Sequence, residues 1–241
     1  MIERDNNKIL PSSDINNDLK IAAVLKFSTL DYPGKLSAVV FCRGCPNRCK
    51  YCHNPDFQDE SMGSAITFKE FTEFLEPRKG LLDAVVFSGG EPLMQSALRD
   101  SIEAVKKMGF LVGLHTSGVL PNKFDEVLDV VDWVGFDIKT SFENYEKITS
   151  IPFSGILAKK SFEKLIQSGV NFEIRTTVDS RHILTEDLYE IAKFLKENNV
   201  KKWVLQECIL RSNAEDFKVP LPDLETLKDI SNYIEVEIRK E

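Results

Sequence analysis

Six apolar segments alternate with helical segments along the chain, and this alternation restricts the fold more than any other feature. The predicted strands span residues 36–41, 83–90, 110–118, 132–140, 171–178 and 202–207. Continuous apolar runs among them are typical of strands that are covered on both faces of a parallel sheet. The sequence therefore predicts an α/β fold, an open and partial (β/α)6 TIM-like barrel, with a doubly wound open sheet as the alternative.

Amphipathic segments between these strands predict the helices. Residues 67–77 place three phenylalanines and Leu75 on one face, and Thr67 is suited to cap the first turn. Further helices are predicted at residues 95–108, 122–129, 159–168, 185–198 and 222–234.

Charge and composition limit the classes of function. Residues 1–18 are polar and acidic and predict a flexible N-terminal arm, followed by one domain over residues 19–241. The net charge of −7 argues against a general nucleic-acid binder, which would carry a basic stripe. We find no signal-peptide h-region and no run of about 18 apolar residues, which predicts a cytoplasmic protein without a membrane span and with reduced cysteines.

Four of the five cysteines are crowded between Cys42 and Cys52, whereas Cys208 stands alone. Such crowding indicates metal or cluster ligation rather than structural disulfides. Cys45, Cys49 and Cys52 have the spacing C-x3-C-x2-C, and three thiolates on a 4Fe–4S cluster leave one iron open for a substrate. Two alternatives are a structural zinc site of four cysteines and Cys42 as a fourth cluster ligand, although Cys42 is also suited to be a small buried hydrophobe.

Polar groups follow the predicted strands at or near their carboxyl ends, where the chemistry of parallel α/β folds is located. They are Cys45, Cys49 and Cys52, then Gly89, Gly90 and Glu91, His115, Asp137 and Lys139, Arg175, and Gln206. We expect them to converge on one rim. The structural alternatives are that the glycines only form a turn, that the charges of Asp137, Lys139 and Arg175 only pair with one another, and that His115 only packs.

The cysteine spacing, with Tyr51 before the last cysteine, resembles the radical S-adenosylmethionine (SAM) superfamily. The sequence Cys52-His53-Asn54-Pro55 narrows the resemblance to the activases of glycyl-radical enzymes. Residues 28–34, Ser-Thr-Leu-Asp-Tyr-Pro-Gly, look most like the activating proteins of anaerobic ribonucleoside-triphosphate reductase. The resemblance extends over about residues 26–206.

This resemblance implies a 4Fe–4S cluster and SAM as cofactors, a 5′-deoxyadenosyl radical, and a glycyl radical installed on a partner enzyme. It also implies a flavodoxin- or ferredoxin-type electron donor. Some relatives insert a ferredoxin-like stretch, but no cysteine lies between Pro55 and the next helix, so we expect one cluster. The rival interpretations are an activase of the pyruvate formate-lyase type, a radical SAM enzyme acting on a small molecule, and a non-enzymatic Fe–S or zinc module.

By the same resemblance, Gly89, Gly90 and Glu91 would receive the amino group of SAM. Lys139 would contact the methionyl carboxylate and Asp137 would order the same pocket. Arg175 is a second cation for that carboxylate, because arginine binds carboxylates in bidentate fashion.

At the nucleoside end, His115 stands where activases of the pyruvate formate-lyase type carry Asp. Histidine cannot supply the same negative charge, so the monovalent-cation site of those relatives is in doubt for this chain. His115 can still bind ribose by a hydrogen bond. Gln206 stands where some relatives have a His that contacts the ribose or adenine.

Overall fold

The computed structural model describes residues 19–210 and 216–240, so the predicted arm over residues 1–18 lies outside the described residues. The strands are β1 Ile21–Ser28, β2 Ser37–Cys42, β3 Ala84–Gly89, β4 Leu111–Thr116, β5 Trp133–Asp137, β6 Asn171–Val178, β7 Lys202–Leu210, β8 Phe217–Val219 and β9 Glu235–Arg239. The helices are α1 Phe68–Leu75, α2 Leu98–Lys107, α3 Pro121–Asp125, α4 Tyr145–Thr149, α5 Ser154–Ser168, α6 Thr185–Glu197 and α7 Leu224–Ile230.

Strands β2 to β7 form the parallel centre of the sheet, and they are the six strands that the sequence predicts. They lie side by side in the order in which they occur in the chain. A doubly wound sheet would reverse its strand order at a switch point, so this alternative is wrong. Strand β1 pairs antiparallel with β2, and β8 and β9 both pair with β7. No described pairing joins β1 to β8 or β9, so the sheet is an open, partial barrel.

The two faces of the sheet carry different cores. The larger core packs the helices against one face, with residues such as Val40, Phe87 and Ile174 fully buried. The opposite face, called the inner face below, carries a small apolar cluster of Tyr32, Val39, Ala84, Val86 and Trp133. Because side chains alternate along a strand, Ser88, His115, Asp137 and Arg175 are on the inner face as well, farther along their strands. The inner face thus changes from packed apolar residues to polar groups toward the carboxyl ends.

Local signals explain where the helices begin. Thr67 accepts a hydrogen bond from Glu70 N (3.1 Å), and Glu70 Oε2 accepts one from Thr67 N (2.7 Å), which completes a capping box at α1. This confirms the predicted cap. Helix α5 begins at Ser154 rather than at residue 159, and α7 spans only Leu224–Ile230 of the predicted residues 222–234. Within the described ranges, no helix has the length and apolar character needed to cross a bilayer.

Candidate functional site

A cavity of about 260 Å³ opens at the carboxyl ends of the parallel strands. All the predicted site residues line it, namely Cys45, Cys49, Cys52, Gly89, Gly90, Glu91, His115, Asp137, Lys139, Arg175 and Gln206. Cys42 and Cys208 are instead fully buried in the larger core. The predicted residues therefore line a single cavity, whereas Cys42 lies outside it.

The loop that carries Cys45, Cys49 and Cys52 is held by backbone hydrogen bonds on both sides. Gly44 turns the chain out of β2 with a φ of 87°, and its N–H donates to Phe57 O (2.8 Å). Farther along the loop, Arg48 N donates to Thr149 O at the end of α4 (2.7 Å). These contacts bring all three thiols to the cavity while leaving Cys42 in the strand.

The donor set fits an iron–sulfur cluster better than a single metal ion. All five cysteines are free thiols, and burial raises the pKa of Cys45 to about 12 and also raises the pKa of Cys49. Because the ligand is the thiolate, cluster binding must displace these protons. The tight C-x3-C-x2-C spacing is unlike that of structural zinc sites, whose ligand pairs usually lie a dozen or more residues apart. Three thiolates on a cubane leave one of its irons open.

Gly89 and Gly90 bring the end of β3 against the cysteine loop. Gly89 has a φ of 114°, and a Cβ atom there would overlap the backbone of Cys42. A Cβ atom on Gly90 would overlap the carbonyl oxygen of Gly44. Glycine is therefore required here because the end of β3 lies directly against the backbone of the cysteine loop. The chain turns at these two glycines, which also form part of the cavity wall.

Glu91 is only 1% exposed, and its carboxylate is held by the loop that follows β4. Its Oε1 accepts hydrogen bonds from Thr116 Oγ1 (2.7 Å) and Leu93 N (3.4 Å). Its Oε2 accepts from Ser117 N (2.9 Å) and Ser117 Oγ (2.6 Å). Burial raises the pKa of Glu91, and these hydrogen bonds oppose that effect. Both carboxylate oxygens are thus already engaged within the protein.

Asp137, Lys139 and Arg175 form a largely buried ion network that lines the cavity. Asp137 Oδ2 lies 2.9 Å from Lys139 Nζ, and Asp137 Oδ1 accepts from Arg175 Nε (3.0 Å) and lies 2.9 Å from Nη2. Burial alone would raise the pKa of Asp137, but the two cations lower it well below its usual value. Burial likewise opposes the charge of Lys139, yet Asp137 holds its pKa well above the usual value. The network that the sequence suggested as a structural alternative is present, and it lines the cavity.

His115 lies between the ion network and the loop after β1. Its Nε2 is 2.8 Å from Asp31 O and 3.1 Å from Arg175 Nη1. Burial and the neighbouring Arg175 charge lower the pKa of His115 to about 3, so the imidazole is neutral at pH 7. Gln206 lies on β7 opposite Thr177 of β6, and both line the cavity.

Several residues that line the cavity were not assigned from the sequence. They include Asp31, Asn47, Ser88, Ser117 and Thr177. Asp31 belongs to the segment 28–34, and Ser117 follows His115 directly, so both lie within segments that the sequence had singled out. Asn47 lies inside the cysteine loop, and its position between two candidate ligands was the available signal.

Comparison with known proteins identifies the family of the chain. A family model described as the radical SAM superfamily matches residues 39–195. The chain is 31% identical over 221 residues to a Methanocaldococcus jannaschii protein described as a glycyl-radical enzyme activating enzyme, with 87% of this chain and 89% of that protein covered. It is 28% identical over 232 residues to the pyruvate formate-lyase 1-activating enzyme of Escherichia coli K12, with 86% and 91% covered.

The chain therefore belongs to the radical SAM superfamily and, within it, to the glycyl-radical enzyme activating enzymes. Members of this superfamily use SAM and an iron–sulfur cluster. The fold is shared with a radical SAM methyltransferase from Sphaerobacter thermophilus (TM-score 0.61, 17% identity, 87% of this chain and 67% of that one). It is also shared with QueE from Escherichia coli (TM-score 0.56, 14% identity, 92% and 94%).

Proposed function

We propose that Cys45, Cys49 and Cys52 hold a 4Fe–4S cluster whose fourth iron binds SAM, and that the chain installs a glycyl radical on a partner enzyme. The observation that carries this proposal is that every residue chosen from the sequence lines one cavity at the carboxyl ends of the strands. When bound, the reduced cluster supplies one electron that cleaves a carbon–sulfur bond of SAM, which yields methionine and a 5′-deoxyadenosyl radical.

The ion network would orient the methionyl end of SAM. Only one of the three ammonium hydrogens of Lys139 is needed for its contact with Asp137, so Lys139 can also donate to a carboxylate in the cavity. Asp137 fixes the direction of the Lys139 side chain, and Arg175 adds a second positive charge behind it. Because the network is largely buried, its charges would act on a ligand with less screening by water than at the surface.

The nucleoside end of SAM would lie toward His115 and Gln206. A neutral imidazole and an amide can bind ribose or adenine by hydrogen bonds without adding a charge. The main-chain groups of Gly89 and Gly90 would lie on the cysteine side of the same ligand, where they would receive its amino group.

We propose anaerobic ribonucleoside-triphosphate reductase as the partner, with a flavodoxin- or ferredoxin-type electron donor, all in the cytoplasm. The segment 28–34 supports this choice, since it carries the resemblance to reductase activases and contributes Asp31 to the cavity wall. The open sheet leaves a side entrance for a partner loop. Glycine suits the reaction because its Cα hydrogen is not shielded by a Cβ atom.

A pyruvate formate-lyase is the second candidate partner. The relatives in Escherichia coli and Clostridium pasteurianum are named for the activation of that enzyme, and the latter is 29% identical over 197 residues, with 76% of this chain and 79% of that protein covered. This observation favours the formate-lyase, whereas the segment 28–34 favours the reductase.

Electron paramagnetic resonance distinguishes the two partners. Reduced protein and SAM would be mixed without oxygen with either the reductase or the formate-lyase of the same host. We expect a glycyl doublet with the reductase, lost when its candidate glycine is changed to alanine. A doublet with the formate-lyase alone would reassign the partner. No doublet with either enzyme, together with 5′-deoxyadenosine formed only with a small metabolite, would overturn the activase proposal.

A further inference from the structure

Asn47 carries a buried acceptor atom beside the cavity that none of the described residues satisfies. The side chain is 2% exposed, its Nδ2 donates to Ser117 Oγ (3.1 Å), and its Oδ1 has no hydrogen-bond partner. A buried polar atom without a partner is destabilising, and such atoms mark places where a further group completes the site. Asn47 lines the cavity, and in the sequence it stands midway between Cys45 and Cys49.

The hydrogen bonds around Glu91 fix the orientation of the Asn47 amide. An ionised carboxylate only accepts hydrogen bonds, so Ser117 Oγ donates its single hydrogen to Glu91 Oε2 (2.6 Å). The Ser117 oxygen can then only accept from Asn47, which requires the NH2 group of the amide, not its oxygen, to face Ser117. Asn47 therefore donates to Ser117 and Ser117 donates to Glu91, which leaves Asn47 Oδ1 as an acceptor.

We propose that Asn47 Oδ1 accepts a hydrogen bond from the α-amino group of SAM, and that Glu91 acts on the ligand only as a positioning residue. This inference rests on the function proposed above. The methionyl carboxylate has no hydrogen to donate, and the donors of ribose and adenine belong to the end of the cavity near His115 and Gln206. The amino group is the remaining donor of SAM, and Asn47 lies within the loop that carries the cluster cysteines.

The position of Glu91 agrees with this division of roles. Its two oxygens already accept four hydrogen bonds from Leu93, Thr116 and Ser117, and its side chain is shielded from solvent. It thereby ties the ends of β3 and β4 together and holds the serine that orients Asn47. The amide oxygen of Asn47 then accepts the hydrogen bond that the sequence alone assigned to the carboxylate of Glu91.

The test compares SAM with an analogue in which a hydrogen replaces the α-amino group. Both ligands would be titrated by calorimetry into anaerobically reconstituted protein. Asn47→Ala should weaken SAM binding by roughly 10- to 100-fold, the range for leaving a buried hydrogen-bond donor without its partner, and should leave the affinity for the analogue unchanged. Asn122→Ala, at an exposed amide on α3, is the matched control and should change neither affinity.

Ser117→Ala provides a second variant, because it removes the group that orients the amide but keeps the Asn47 oxygen. It should weaken SAM binding less than Asn47→Ala does and should again spare the analogue. Equal losses of affinity for both ligands in both variants would overturn the proposal, and so would an unchanged affinity for SAM. The proposal would also fail if Asn47→Ala lost iron and sulfide while Ser117→Ala kept the wild-type ratio of the affinities for SAM and the analogue. Failure of the unmodified protein to take up iron or bind SAM would instead contradict the proposed function, and the wild-type titration detects it separately.

Discussion

The two walls of the cavity reach their working states in different ways. The charged wall of Asp137, Lys139 and Arg175 is complete in the protein alone, because each charge already has a partner within 3.0 Å. The cysteine wall of Cys45, Cys49 and Cys52 is incomplete, since burial keeps at least the Cys45 and Cys49 thiols protonated until a cluster replaces the protons. The comparison teaches that the fold alone organises the charged wall, whereas the redox capacity proposed for the cysteine wall would depend on an added group.

The largest difference between the walls should appear on single cysteine substitution. Cys45→Ala, Cys49→Ala and Cys52→Ala should each abolish assembly of the cubane, because a cubane with one open iron would be held by these three thiolates alone. Cys42→Ala should retain the cluster, since Cys42 lies in the large core rather than in the cavity. Iron and sulfide analysis after anaerobic reconstitution checks this. Loss of the cluster in Cys42→Ala with retention in Cys45→Ala would reverse the assignment.

Removal of the shared anion should be the most damaging change to the charged wall. Asp137→Ala leaves the largely buried Lys139 and Arg175 without their partner, and breaking a buried ion pair in this way costs about 3–5 kcal/mol. Asp129→Ala is the matched control, because Asp129 pairs with Arg99 on the surface, where such pairs contribute about 0–1 kcal/mol. The free energies of unfolding of the cluster-free proteins in urea measure both. Similar small losses would mean that the network does not stabilise the fold.

Lys139→Ala should separate ligand orientation from stability. The substitution leaves Asp137 paired with Arg175, but it removes a charge-assisted contact to the methionyl carboxylate, worth about 1.5–3 kcal/mol of SAM binding. Lys123→Ala, at an exposed lysine paired with Glu126, should leave the affinity unchanged. Calorimetry with cluster-loaded protein gives both values. Unchanged affinity in Lys139→Ala would remove this residue from the site.

His115 should produce the smallest effect on the free energy of unfolding, and this effect should appear in its pH dependence. Its pKa is about 3 in the folded protein and about 6.5 when unfolded, so the unfolded chain binds the extra proton between these values. Stability should therefore fall as the pH is lowered from 7 to 5, by roughly 1–2 kcal/mol from this residue. His115→Gln should flatten the slope over that interval. An unchanged slope would show that His115 titrates normally.

The sequence was sufficient for the centre of the fold and for a set of residues that line one cavity, but not for their contacts. The six parallel strands carry strong apolar signals, and the carboxyl ends of parallel strands meet at one edge, which brings Lys139 and Gln206 to the same cavity. Strands β1, β8 and β9 were missed. Strands β8 and β9 have short, polar sequences with little apolar signal of their own, and β1 pairs antiparallel with β2, outside the alternation of strands and helices. The hydrogen bonds that Ser117 donates to Glu91 and that Asn47 donates to Ser117 join residues 26 and 70 positions apart, and no local pattern encodes them.

The central claim is that the two walls form one site for the reductive cleavage of SAM. The most direct measurement is the amount of methionine and 5′-deoxyadenosine released after anaerobic reduction of the cluster-loaded protein with SAM. We predict both products in equal amounts from the wild type, much less from Lys139→Ala at limiting SAM, and none from Cys45→Ala. Absence of cleavage by the loaded wild type, or equal cleavage by Cys45→Ala, would contradict the account.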